Sequence, residues 1–209
     1  VPNPEDDGAW ELARKYAGQQ QADLLLATDP DSDRLGVQCR NADGTYCHLT
    51  GNQIGAILAY YIIGSQKEEG KLPQDGVMLQ SVVSTALTEP LARDMGVPLT
   101  KVPVGFKFIG EQIKKMEETG KGTFLFGFEE SLGYLKGTYA RDKDAVLGAA
   151  LVAEAALYYK TTQGKTLADV LEELFEKYGY FLDEQVACTL MGKDGKERIG
   201  QIMDRLAAD

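Results

Sequence analysis

From Val77 onward, short apolar runs alternate with longer stretches in which apolar residues recur every three or four positions. Runs of strand length bounded by Gly or Pro read as strands, and the longer periodic stretches read as amphipathic helices. The spacing predicts strands over Val77–Val83, Leu99–Val102 and Phe124–Phe128. It predicts helices over Leu87–Met95, Phe106–Glu118, Ala145–Lys160 and Thr166–Tyr178, the last stopped by Gly179. A chain that alternates in this way must cover a sheet with helices, which is the α/β class.

The flanks are less regular. Glu11–Tyr16 reads as helix and Ala22–Thr28 as a buried strand. Leu35–Arg40 and Thr45–Leu49 flank Asn41-Ala42-Asp43-Gly44, a hairpin signal. Thr50 and Gln53 have capping-box spacing ahead of a helix through Ile54–Ile63. Beyond Gly179, Phe181–Leu190 reads as a strand, then a turn at Gly192–Gly195 leads into a helix over Gly195–Leu206. Boundaries are expected near Asn41–Leu49 and Gly179–Asp183. The opening Val-Pro-Asn-Pro-Glu and the helix-like ending suggest a piece of something longer.

Composition excludes several classes. With 22 basic against 32 acidic residues the 209-residue chain carries a net charge of −10, so a nucleic-acid partner is not expected. No apolar run approaches the ~20 residues of a membrane span, so no membrane partner is expected either. Three cysteines without a C-x-x-C indicate neither a disulfide frame nor a zinc knuckle, and a reducing, cytoplasmic setting is expected. His48 is the only histidine, which disfavours a Ser-His-Asp triad or a multi-histidine metal site.

Ligands of open α/β sheets sit beyond the carboxyl ends of the strands. Four predicted strands end in chemically suggestive loops: Asp29–Arg34, Ser84-Thr85, Pro103–Lys107 and Glu129–Ser131. The sharpest is Asp29-Pro30-Asp31-Ser32-Asp33-Arg34. Carboxylates at i, i+2 and i+4 of a looping backbone can converge their oxygens on a hard cation, Mg²⁺ or Ca²⁺. A solvated acidic turn is the plain alternative. An EF-hand is disfavoured, because Arg34 stands where Gly is needed and Arg40 where the bidentate Glu belongs. A dehalogenase-like nucleophile loop would have Thr or Val at Asp33. Arg34 either offsets the three acids or faces a phosphate with its planar fork.

Gly127-Phe128-Glu129-Glu130-Ser131-Leu132-Gly133-Tyr134 offers two acids and a hydroxyl suited to sugar hydroxyls, between glycines that permit close approach. Arg141-Asp142-Lys143-Asp144 opens a helix, where acids suit the N-terminus, while Arg141 and Lys143 could form a cationic site. Lys107 lies between aromatics at a strand-to-helix turn. Gln163-Gly164-Lys165-Thr166 only imitates a P-loop: it follows a helix, and the leading glycine would fall at Tyr159.

In order, D-P-D-S-D-R, V-G-F-K-F-I-G, G-F-E-E-S-L-G-Y and G-T-Y-A-R-D-K-D-A-V resemble the α-D-phosphohexomutase family over essentially the whole chain. The resemblance implies a mixed sheet covered by helices, within a larger four-domain architecture around a central cleft. It implies that residues 1–45 end a second domain and carry the metal loop. Residues 46–180 would be the third domain with the sugar loop, and 181–209 the start of a small α+β fourth domain.

The implied chemistry is phosphoryl transfer between the 1- and 6-positions of a hexose through a phosphoserine and a bisphosphorylated sugar. On this sequence, Asp29, Asp31 and Asp33 would bind Mg²⁺. Glu129, Glu130, Ser131 and Arg141 would bind the hexose phosphate, with Glu130 at a position that varies among relatives. Arg34, Lys107 and Lys143 would be cleft cations near the reacting group, either lysine able to assist proton transfer. Pro30 replaces a glycine common in relatives. No T-A-S-H-N-P-like nucleophile loop and no Arg-Ser-Gly-rich phosphate loop occurs here, so this piece is expected to depend on the remaining domains of a parent chain and to be inactive alone. The absence of a histidine from the sugar loop tilts the reading toward glucose, as in an α-phosphoglucomutase. A phosphopentomutase or phosphomannomutase of the same family, and a non-catalytic metal or sugar-phosphate module, are the alternatives.

Overall fold

The computed structural model describes residues 2–41, 43–184 and 190–208. The polypeptide opens with a short 3-10 turn, Asp7–Trp10, and helix α1, Glu11–Gln20. Strands β1 (Leu24–Thr28), β2 (Leu35–Arg40) and β3 (Tyr46–Leu49) then form an antiparallel sheet in the order β1-β2-β3. Trp10 anchors this part. It is fully buried, and its indole N–H donates to Pro4 O at 2.9 Å. The sequence reading of β1 as a buried strand needs correction: of its five residues only Leu25 is buried, and Leu26 is 39% exposed. β1 is an edge strand, paired only with β2 among the described residues.

Helix α2, Gly51–Glu68, starts at the capping box that the spacing predicted. Gln53 N donates to Thr50 Oγ1 at 3.3 Å, and Thr50 N donates to Gln53 Oε1 at 2.9 Å. The second sheet comprises β4 (Gly76–Ser81), β5 (Leu99–Val102), β6 (Thr123–Glu129) and β7 (Gly133–Leu135), in the order β5-β4-β6-β7. The first three are parallel and β7 is antiparallel to β6, so the sheet is mixed. β7 falls where the sequence shows only a Gly-rich loop. A three-residue strand is too short to display an alternating pattern.

Helices α3 (Thr88–Met95), α4 (Phe106–Thr119), α5 (Ala145–Gln163) and α6 (Leu167–Tyr178) cover this sheet. α4 buries Phe106, Ile109 and Ile113 against Leu79, Phe124 and Leu135 on one face. Helices α2, α3, α5 and α6 pack on the other, around Met78, Phe126 and Phe128. α2 lies close to the sheet because Gly55 has no side chain: a Cβ there would stand 2.2 Å from the Phe128 ring. Leu35 and Val37 of β2 belong to the same core, so the antiparallel sheet and the mixed sheet share one apolar interior.

Helix α7, Gly192–Ala208, begins three residues before its expected start and absorbs the expected Gly192–Gly195 turn. Ile202, Met203 and Leu206 on it are exposed. The strand expected over Phe181–Leu190 is not seen at residues 181–184 or 190, and its remaining residues lie outside the described ones. Among the described residues no helix is long and apolar enough to cross a membrane.

Candidate active site

Because β4, β5 and β6 run parallel, their carboxyl ends share one edge of the sheet. Ser84-Thr85, Pro103–Lys107 and Glu129–Ser131 therefore lie along one rim, as their strand-end positions predict. The Asp29–Arg34 loop comes from the other sheet, yet it is tied directly to this rim. Arg34 forms a β-bridge with Gly133, Leu35 N donates to Leu132 O at 3.0 Å, and Ala145 N donates to Ser32 O at 3.0 Å.

Within the metal loop, Asp29, Asp31 and Asp33 each offer an oxygen within 4.8 Å of the others. Oxygens around an octahedral Mg²⁺, at about 2.1 Å from it, stand roughly 3–4 Å apart. Drawing the trio together by up to about an ångström would bring its oxygens to the spacing of a small hard cation. The turn that achieves this puts Ser32 at a positive φ of 58°. Asp29 is the keystone and is only 2% exposed. Its Oδ1 accepts from Asp33 N and Arg34 N, both at 3.1 Å, and its Oδ2 accepts from Arg34 Nε at 2.8 Å. Burial alone would raise the Asp29 pKa, but the Arg34 amide and guanidinium outweigh it and hold the carboxyl down at about 2. Asp31 is exposed and Asp33 partly so.

Lys143 joins the loops. Its ammonium lies 2.7 Å from Asp33 Oδ2 and 3.2 Å from Asp142 Oδ1, and over the Phe106 ring at 5.9 Å. Burial would lower its pKa, yet the two carboxylates raise it, so Lys143 is a cation at neutral pH. Gly133 makes room for it, since a Cβ there would stand 2.6 Å from Lys143 Cδ.

The two glutamates of the Glu129–Ser131 loop diverge. Glu129 is 5% exposed and accepts from Gly105 N at 2.8 Å, at the start of α4. Burial, more than any other influence, pushes its pKa up. Glu130 turns the other way and accepts from Ser81 Oγ at 2.8 Å. Ser131 is half-buried, while Lys107 is exposed with its ammonium 4.9 Å from the Phe108 centroid. Arg141 pairs with Glu117 of α4 and donates to Ala140 O at 3.1 Å. None of its contacts reaches the metal loop.

Two arrangements went unread in the sequence. Thr85 is 2% exposed and belongs to a buried polar network in which Thr85 N donates to Asn52 Oδ1 at 3.0 Å and Gln80 Nε2 donates to Thr85 O at 3.1 Å. It braces the rim. Cys39 and Cys47 face each other across β2 and β3 as free thiols with sulfurs 3.2 Å apart, and burial pushes the Cys39 thiol up to about 12. Only the hairpin register could have revealed that pairing. A cleft of about 880 Å³, large enough for a sugar phosphate, lies beside the sugar loop. Its lining includes His48, Asn52, Val83, Glu130 and Leu182, while the three aspartates lie outside it.

Comparison with known proteins bears on the family and the fold. Residues 50–178 match the phosphoglucomutase/phosphomannomutase alpha/beta/alpha domain III, and residues 1–44 match domain II of the same family. A phosphoglucomutase of Staphylococcus aureus (strain USA300) is 40% identical over 207 residues, which is 99% of this chain and 36% of that protein. The chain thus spans about a third of the length of the curated relatives it matches. Among solved structures, a Thermus thermophilus protein assigned as a phosphomannomutase superposes with a TM-score of 0.65 at 26% identity, covering 85% of this chain and 36% of its own. An Aspergillus fumigatus N-acetylphosphoglucosamine mutase in complex with GlcNAc-6P and magnesium has a TM-score of 0.53 at 15% identity, with 81% of this chain and 37% of its own covered, and so shares the fold. By its matched domains, the chain belongs to the phosphoglucomutase/phosphomannomutase family.

Proposed function

We propose that this chain supplies the metal loop and the sugar loop of a Mg²⁺-dependent phosphoglucomutase that interconverts glucose 1-phosphate and glucose 6-phosphate. The observation that carries the reading is the junction of the loops: three convergent aspartates, with Lys143 reaching from the segment after the sugar loop to Asp33. On this reading residues 1–45 close a second domain, 46–180 form a third and 181–209 open a fourth. The phosphoserine and the fourth-domain phosphate loop belong to the rest of a longer parent chain.

Asp29, Asp31 and Asp33 would hold the Mg²⁺. Asp29 Oδ2, with one contact to Arg34, keeps a lone pair for a cation. When bound, the ion offsets negative charge on a transferring phosphoryl group, where most of such catalysis is gained. Arg34, fixed by Asp29, presents its remaining guanidinium N–H groups to phosphate. Lys143 holds its proton at Nζ between carboxylates, which suits it to stabilise charge or to donate a proton more than to remove one. Glu129 and Ser131 orient sugar hydroxyls, and Lys107 adds positive charge at the rim, while Arg141 is paired with Glu117 in the last turn of α4.

The test is turnover of glucose 1-phosphate by the parent enzyme, with Asp31→Ala beside it. Asp31 is exposed, so its loss should leave the fold intact while the rate falls by about 10²-fold or more. An unchanged rate would reject the catalytic metal and favour a binding module. Strong preference for ribose 1-phosphate would shift the assignment to a phosphopentomutase.

A further inference from the structure

The adjacent glutamates of the sugar loop invite the reading that both grip the sugar. The backbone argues otherwise. Glu129 is the last residue of β6, and neighbouring residues at a strand end project to opposite faces. Glu129 reaches toward the start of α4 at Gly105, beyond β5. Glu130 reaches to β4, where Ser81 Oγ donates to its Oε2 at 2.8 Å, Ser84 Oγ stands 3.4 Å from the same oxygen, and the two serine hydroxyls are 2.8 Å apart. Ser81 is fully buried and Ser84 is 7% exposed. The main chain of Glu130 is held as well: a Cβ on Gly51 would stand 2.0 Å from Glu130 O, so the start of α2 presses on the turn. Side chain and backbone are thus both engaged before any ligand arrives.

Resting on the phosphohexomutase reading above, we propose that Glu130 is a positioning residue and that Ser81 is its working partner. By accepting from Ser81, Glu130 fixes the turn that presents Glu129 and Ser131 to the sugar. The hydrogen bond carries the effect, so a neutral acceptor of the same shape should serve.

Two measurements test this. In the isolated chain, amide hydrogen exchange at Gly105 reports whether the Glu129 carboxylate is in place. Glu130→Ala and Ser81→Ala should each speed it by about five- to tenfold, the worth of one hydrogen bond, while Glu130→Gln leaves it near the parent value. In the parent enzyme, the same two alanine variants should raise the KM for glucose 1-phosphate by about five- to tenfold with kcat within about twofold. The double variant should be no worse than either single one, and Glu130→Gln should restore KM. A silent Ser81→Ala, with Glu130→Ala and Glu130→Gln both raising KM, would make Glu130 a direct sugar ligand and overturn the proposal. So would unchanged exchange at Gly105 in Glu130→Ala. A parent enzyme with no mutase activity would defeat the functional reading, while the exchange measurement would still decide whether Glu130 positions the loop.

Discussion

The metal loop and the sugar loop meet at Arg34 and Gly133, yet they are built by opposite means. The Asp29–Arg34 loop closes largely on itself, with Asp29 accepting from residues four and five positions ahead, although Ala145 N and the Lys143 ammonium also hold it at Ser32 O and Asp33. The sugar loop is held from afar, by Gly105, which lies 24 positions from Glu129, and by Ser81, which lies 49 from Glu130. A locally closed turn orders few residues for each bond it makes, whereas distant anchors require the sheet to have assembled first. The metal loop should therefore fail one residue at a time, and the sugar loop should fail with the packing around it.

The largest expected effect sits on the local side. Asp29→Ala strips two amides and a partly buried guanidinium of their acceptor, and should cost about 3 kcal/mol in denaturant unfolding. Asp31→Ala, at an exposed position, should stay within about 0.5 kcal/mol while weakening Mg²⁺ binding by calorimetry. Equal losses for the two variants would erase the distinction between keystone and ligand. On the distant side, Gly51→Ala should drive a methyl group into Glu130 O and cost about 2 kcal/mol, with chemical-shift changes spreading through Glu129–Gly133.

Titration separates the loops by sign. The Asp29 pKa, near 2, lies below its ordinary 3.8. Its contribution, about 2 kcal/mol, is full above pH 4 and is lost as pH falls toward 2. The Glu129 pKa lies above its ordinary 4.5, so its contribution is present below that pH and is lost as pH rises through the shifted value. Unfolding curves across this range should show a shallower acid limb in Asp29→Asn, other paired carboxylates such as Asp94 and Asp144 keeping their share, and should lose the opposing slope in Glu129→Gln. A smaller effect than at Asp29, Gly51 or the titrating carboxylates is expected at the capping box that starts α2, where Thr50→Ala should cost about 1 kcal/mol in thermal melts.

Much of the frame was legible in residue order because it rests on short-range rules. The hairpin joining β2 and β3, the capping box at Thr50 and the glycine end of α6 are each set by a few neighbouring residues. The D-x-D-x-D spacing allowed convergence or a solvated turn, and the turn through Ser32 at positive φ brings the three carboxylates together. β7 escaped because three residues carry too little pattern, and β1 was read as buried because apolarity alone cannot tell an edge strand from a central one.

The sequence by itself determined the alternation of strand and helix, the acidic turn and the family. Only the tertiary structure decided which way Glu129 and Glu130 point, that Lys143 reaches Asp33, that Arg141 pairs with Glu117, and that Cys39 faces Cys47. Those outcomes depend on register and strand order, which join residues far apart in the chain. A one-residue slip of β2 against β3, or another neighbour for β6, would leave every local signal intact and rearrange each of those contacts.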